Sequence, residues 1–296
     1  MKTTKVNNVK IKPIITDSHP VEKIGGFKLF PEPYCNVAIV AKKKSGKTSV
    51  LYNCLEKCVG KNTHVWLFSS TIHRDATYKS ILEMLEKKKC QVSTFSHFIE
   101  DGGNILEEII NELKSVIGDS DKEGGSEIPE EPSPYDRLQT TQQCKVKFED
   151  GKSEEQKEKE EERKYIREEK AKKKKTLYPE HIFCFDDLGS DMRNKSITQL
   201  LRTNRHFKSK VFLLGHSLTD IDPVSRKQLD YALIFKSFSE EKLKDLYRDL
   251  DLSIEFEKFV QAYHYATMQP YSFLYISTKT DELRKNFNEK IEFDTI

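Results

Sequence analysis

The feature that most constrains this chain is the apolar run Val37-Ala38-Ile39-Val40. It leads directly into Ala41-Lys42-Lys43-Lys44-Ser45-Gly46-Lys47-Thr48. Beyond it Val50, Leu51, Cys54, Leu55 and Cys58 recur at helical spacing. A short continuous apolar run reads as a strand buried on both faces. Strand, polar loop and amphipathic helix in that order form the opening unit of a parallel α/β sheet. The same alternation recurs downstream. Strands are predicted at 64–68, 92–95, 182–185, 211–214, 232–235 and 273–276. Helices are predicted at 78–87, 105–117, 196–201, 241–250 and 254–265. The expected fold class is α/β, with a mainly parallel central sheet and helices on both faces.

Composition enters because it is uneven. The 296 residues are 36% apolar and 33% charged, but the apolar residues concentrate in two stretches. Residues 27–117 and 178–296 read as one domain split by an insert at 118–177, and residues 1–26 as a flexible N-terminal arm. The insert begins with Gly, Pro, Ser and Glu and is expected to be disordered there. From Lys152 it is dominated by Glu, Lys and Arg, with Glu155/Lys159, Glu160/Lys164, Glu168/Lys172 and Glu169/Lys173 at i,i+4. Such pairs favour a solvated single helix by about 0.3 kcal/mol each. The run Lys172 to Lys175 suits nucleic-acid phosphates, and equally a solvated face with no partner. The net charge of +2 neither announces nor excludes a nucleic acid, since local patches do the binding. Six cysteines without a CxxC pair read as reduced, mostly buried thiols. No apolar run approaches the roughly 20 residues needed to cross a bilayer, and no signal-peptide core is present. A soluble, intracellular protein is expected.

A loop that cradles phosphates needs small residues, inward-pointing N–H groups, a lysine for the terminal phosphates and a hydroxyl for magnesium. Ala41, Lys42, Lys43, Lys44, Ser45, Gly46, Lys47 and Thr48, with Ser49 after them, satisfy GxxxxGK[ST] at every defined position but the first. Alanine there prefers negative φ. ATP with Mg2+ is the expected ligand. The second half of such a site is an apolar strand ending in an acid, as in Ile182-Phe183-Cys184-Phe185-Asp186-Asp187. Successive side chains on a strand point to opposite faces, so the two acids cannot share one task unless the strand ends between them. Asp186 is assigned, with Thr48, to magnesium, and Asp187 to orienting and deprotonating water. His216, at the end of Val211-Phe212-Leu213-Leu214, is placed to contact the γ-phosphate or the lytic water; a structural role is as consistent with position alone. Arg202, Arg205 and Arg226 are candidates for completing a neighbouring subunit's site, and equally suit exposed helix ends.

These pieces resemble the genome-packaging ATPases of large double-stranded DNA viruses and virophages, in the FtsK/HerA-like branch of P-loop ATPases. The resemblance rests on the loop at 41–48, the acids Asp186-Asp187, the pair Arg205-His206 and Gly215-His216-Ser217-Leu218-Thr219-Asp220. It extends to the tail Tyr271-Ser272-Phe273-Leu274-Tyr275-Ile276 with Leu283-Arg284-Lys285-Asn286. It implies a RecA-like P-loop NTPase fold and an ATP-hydrolysing motor that assembles as a homo-oligomeric ring and threads double-stranded DNA into a preformed capsid. Capsid or portal-vertex partners, residence in a viral factory of the host cytoplasm or in the virion, and Arg205 acting across a subunit interface follow from the same resemblance. The chain departs from it at Ala41, at His216, where the family usually has glutamine, and at Asp187, where relatives often carry glutamate. Two other readings stand beside it. A small-molecule kinase would share the loop but need a lid and an acceptor site, for which no motif is evident. A non-catalytic interaction protein would keep the loop as a folding element, a reading favoured by Ala41 and the three lysines after it.

Overall fold

The computed structural model describes residues 20–100, 103–123, 176–236 and 238–293. The expectations for an N-terminal arm over residues 1–19 and for the charged insert over 124–175 lie outside the described residues. Nine strands form one sheet: β1 (Asn36–Val40), β2 (His64–Ser69), β3 (Gln91–Phe95), β6 (His181–Asp186), β7 (Ser209–Gly215), β8 (Tyr231–Phe235), β9 (Phe273–Ser277), β10 (Glu282–Lys285) and β11 (Glu289–Ile291). A separate two-stranded ribbon pairs β4 (Ile99–Glu100) with β5 (Gly103–Asn104). The sheet order is β11-β10-β9-β8-β1-β7-β6-β2-β3. From β8 to β3 the pairings are parallel, while β9, β10 and β11 add antiparallel pairings at one edge. The structure has the expected α/β class, with a mainly parallel central sheet and helices on both faces.

Strand alternation divides the core into two layers. Val37, Ile39, Cys184, Phe212, Leu214 and Leu233 face one side, covered by α1 (Lys47–Cys58) and α2 (Ala76–Lys87). Ala38, Val40, Phe183, Phe185, Val211 and Leu213 face the other. There they meet α3 (Ile105–Glu123), α4 (Lys195–Thr203), α6 (Glu240–Asp249) and α7 (Phe256–Ala266). A single turn, α5 (Pro223–Arg226), with Pro223 at its start and Asp222 capping it, connects toward β8. Central strands fully buried on both faces explain their near-continuous apolar sequences.

Three differences from the sequence expectation have physical reasons. Ile24 is buried, Gly25 N–H donates to Leu177 C=O at 2.7 Å and Leu177 N–H to Lys23 C=O at 2.7 Å. Residues 23–25 are therefore laced to the body, and one buried isoleucine among polar neighbours leaves no periodicity to read. Helix α3 continues to Glu123, past the expected boundary at 117, because a polar sequence carries no apolar period even where the backbone stays helical. The β10–β11 hairpin was not expected. Its strands are short and charged, with Glu282, Arg284, Lys285, Glu289 and Lys290, as edge strands tend to be. Of the cysteines, Cys35, Cys54, Cys58 and Cys184 are free and buried, and burial pushes the Cys35 thiol up to about 12. Among the described residues no helix is long and apolar enough to cross a membrane.

The layer under the acidic strand is aromatic. Trp66 stacks on Phe183 with ring centres 5.8 Å apart, and Phe68 on Phe185 at 5.0 Å and on Phe98 at 5.2 Å. Such rings combine large buried area with fixed geometry, so they hold the tip of β6 rigidly. Phe185→Ala is expected to lower the unfolding free energy by about 3–5 kcal/mol, read as a reduced urea midpoint with the slope retained.

Candidate active site

The loop between β1 and α1 turns on two left-handed residues, Lys44 at φ 63° and Gly46 at φ 89°. Glycine takes that conformation freely, whereas lysine adopts it at a cost of roughly 1–2 kcal/mol. Ala41 is not among the residues with positive φ. Its N–H donates to Gly215 C=O at 3.1 Å and its methyl is fully buried. Alanine therefore fits where the motif has glycine, because the left-handed turns of this loop fall later. Helix α1 begins at Lys47, and the free N–H groups and positive end of its first turn face the loop.

Lys47 is 8% exposed and Asp186 3% exposed, and Lys47 Nζ lies 2.8 Å from Asp186 Oδ1. The two come from β1–α1 and from β6, with β7 between them in the sheet. The tips are thus one strand apart, not side by side. Asp186 shares the sheet face of Cys184, the face covered by α1 and α2. That parity aims it at Lys47 and at Tyr78 on α2, whose hydroxyl donates to Asp186 Oδ2 at 2.7 Å. Burial first, and the Asp186 charge second, push the Tyr78 phenol well above its usual range, so it stays a donor. Asp186 Oδ1 is buried and accepts no aligned hydrogen bond, so the Lys47 ammonium meets it as an ion-pair contact. A carboxylate oxygen with no aligned donor, in the same cleft as Thr48, suits the water shell of a magnesium ion.

Asp187 follows with φ 56°. That left-handed step ends the strand and turns the second carboxylate out of the alternation. Ser70 Oγ donates to the Asp187 carbonyl at 2.8 Å, fixing the step from the neighbouring strand end. His216 Nε2 lies 2.7 Å from Asp187 Oδ1, a close contact that is not aligned as a hydrogen bond. His216 Nδ1 lies 3.2 Å from Ala41 C=O. Asp220 Oδ2 accepts from the backbone N–H of His216 at 2.9 Å and of Ser217 at 2.8 Å, which holds the turn that presents the imidazole.

These groups line one cleft of about 490 Å³, formed by residues 42–49 with Thr71, Asp75, Thr77, Asp186, Asp187, His216 and Tyr271. The structure thus brings together Lys42 through Ser49, Asp186, Asp187 and His216; Ala41 lies just beneath, in the core. It does not bring in the arginines. Arg205 sits with Asp230 at 3.7 Å, 61% exposed, near Asn36 at the start of β1. A strand of five residues separates the two edges of the sheet by about 16 Å. Arg226 is turned inward on Asp249 and the Ile221 carbonyl, which withdraws it from the surface; Arg202 is exposed. Sequence reasoning missed Tyr78, Thr71, Asp75 and Thr77. Their one signal was that α2 follows closely after the tip of β2, with Asp75 capping it through Thr77 N–H at 2.7 Å.

Residues 145–274 match the family model described as Poxvirus A32 protein. The resemblance to viral packaging ATPases is borne out. The match starts within the charged segment, spans β6, β7 and β8 and ends in β9, so the loop at 41–48 lies outside it. No curated protein matches the chain. Among solved structures, the genome packaging NTPase B204 from Sulfolobus turreted icosahedral virus 2 in complex with AMP is 14% identical. It covers 86% of this chain and 97% of its own, with a TM-score of 0.48. B204 from Sulfolobus turreted icosahedral virus, described as a DNA-packaging ATPase, is 13% identical over 85% of this chain and 96% of its own, with a TM-score of 0.47.

Tyr78→Phe is expected to leave the Lys47–Asp186 contact in place but strand a buried carboxylate oxygen. Stability should fall by about 1–3 kcal/mol, measured by urea unfolding beside the wild type.

Proposed function

We propose that this protein is an ATP-hydrolysing motor that translocates viral double-stranded DNA into a preformed capsid, working as a homo-oligomeric ring. The observation that carries the reading is the contact at 2.8 Å between Lys47 of the loop and Asp186 at the end of an apolar strand. A loop kept only as a folding element has no need of a buried lysine held at ion-pair distance from a buried carboxylate. The family match supports the viral packaging setting.

In this reading the N–H groups of Lys42 through Lys47 cradle the phosphates and Lys47 neutralises the terminal ones. Thr48 and Asp186 hold magnesium, which supplies charge neutralisation on the phosphate oxygens when bound. Asp187 orients the attacking water and takes its proton, in a position set by its left-handed backbone. His216, against Asp187, reports the state of the γ-phosphate side to the turn closed by Asp220. Arg205, on the far edge from its own cleft, serves a neighbouring subunit. Duplex DNA binds through phosphate contacts, so its affinity falls steeply with salt. Capsid or portal proteins receive the assembled ring, in a viral factory or the virion.

Phosphate release should rise on adding duplex DNA; equal rates with and without DNA would remove the motor reading. Lys47→Ala should lower kcat roughly 10²- to 10³-fold. Mixing Lys47→Ala with Arg205→Ala should restore part of the activity, each variant supplying what the other lacks at shared interfaces. No recovery in sized oligomers would assign Arg205 to structure alone.

A further inference from the structure

The phosphate site leaves unexplained where the rest of a nucleotide lies. Both acids and His216 come from β6 and β7, on one side of β1 in the sheet. A triphosphate whose terminal phosphate meets them runs back over the loop toward the other side of β1, where β8 and then β9 lie. On that side a second cleft of about 360 Å³ adjoins the loop, lined by Lys44, Ser45, Phe235, Met268 and Tyr271 among others. Tyr271 lines both clefts.

Tyr271 is unusual in three respects. It is 71% exposed, and Met268 beside it is 63% exposed, so two large apolar side chains face solvent at the mouth of the loop. It is the third residue of the turn Gln269–Ser272, which is closed by Ser272 N–H to Gln269 C=O at 3.3 Å, with Pro270 second. Its φ is 62°. A turn with positive φ in third place favours glycine or asparagine, and a bulky residue there is an outlier that calls for a reason. Its ring also lies over Gly46: a Cβ built on that glycine would stand 3.2 Å from Tyr271 Cδ1.

Resting on the ATPase reading, we infer that Tyr271 is the stacking platform for the base of the bound nucleotide, with Met268 flanking it. An exposed ring costs little to desolvate against a flat base, and stacking on an aromatic face is sequence-tolerant because every base presents a π-surface. The turn fixes the ring at the loop's edge, so the platform is present before the nucleotide arrives. Residues 41–48 then hold the phosphates and Tyr271 the base, two subsites with separable energetics.

The test is calorimetric titration of the full-length protein in magnesium with ATP and, separately, with inorganic tripolyphosphate. Tyr271→Gly removes the ring and relaxes the backbone. It should weaken ATP roughly ten- to a hundredfold and leave tripolyphosphate unchanged; Tyr271→Phe should keep both affinities. Unchanged ATP affinity in Tyr271→Gly overturns the proposal. Equal weakening of both ligands also overturns it, since the ring would then be only a prop for Gly46. Wild-type protein that binds neither ligand would sink the phosphate-loop reading itself, a failure distinct from that of the tyrosine.

Discussion

The contact between Lys47 and Asp186 is the constraint around which this molecule is organised. Two opposite charges nearly withdrawn from water are tolerated only when they meet closely and their remaining valences are met. Lys47 is placed by the loop and the first turn of α1, and Asp186 by the parity of β6. They come within 2.8 Å across the intervening β7 because the strand tips are level. The registers Val40↔Gly215 and Asp186↔Leu214 provide that level.

From that pair the remaining features follow outward. Asp186 points into the layer of α1 and α2, so Tyr78 is brought over it as a donor. Asp187 has to leave the alternation, and a left-handed backbone does so at the surface. The strand between the two halves ends in Gly215, and the next residue, His216, spans from the loop carbonyl of Ala41 to the second acid. Beneath, the stacked rings of Trp66, Phe68, Phe98, Phe183 and Phe185 stiffen the strands that carry the acids. Rigidity matters here because catalysis by positioned charges depends on groups that need not reorganise during the reaction.

The polarity of the sheet also gives the molecule two functional edges. Strand ends carry the loop, the acids and His216. Arg205 and Asp230 lie by the starts of the parallel strands, with Lys279, just past the end of antiparallel β9, beside Asp230. A parallel sheet inevitably separates such groups, so an arginine at the starting edge acts outside its own cleft or not at all. The antiparallel extension through β9 adds a third element, the turn bearing Tyr271, next to the loop on the side away from the acids.

Much of this was written locally. The run Val37 to Val40, the loop to Thr48 and the helical spacing after it determined the first unit, and Ile182 to Asp187 determined its acidic counterpart, because period and turn chemistry are properties of adjacent residues. The central strands and main helices were legible for the same reason. Tertiary structure alone decided the strand order, and with it that β7 separates the two halves of the site. It alone brought Tyr78 onto Asp186, laid Tyr271 over Gly46, laced Ile24 to Leu177 and sent Arg205 to the far edge. These placements depend on which distant segments bury one another's faces, and no local pattern of side chains encodes such long-range pairing.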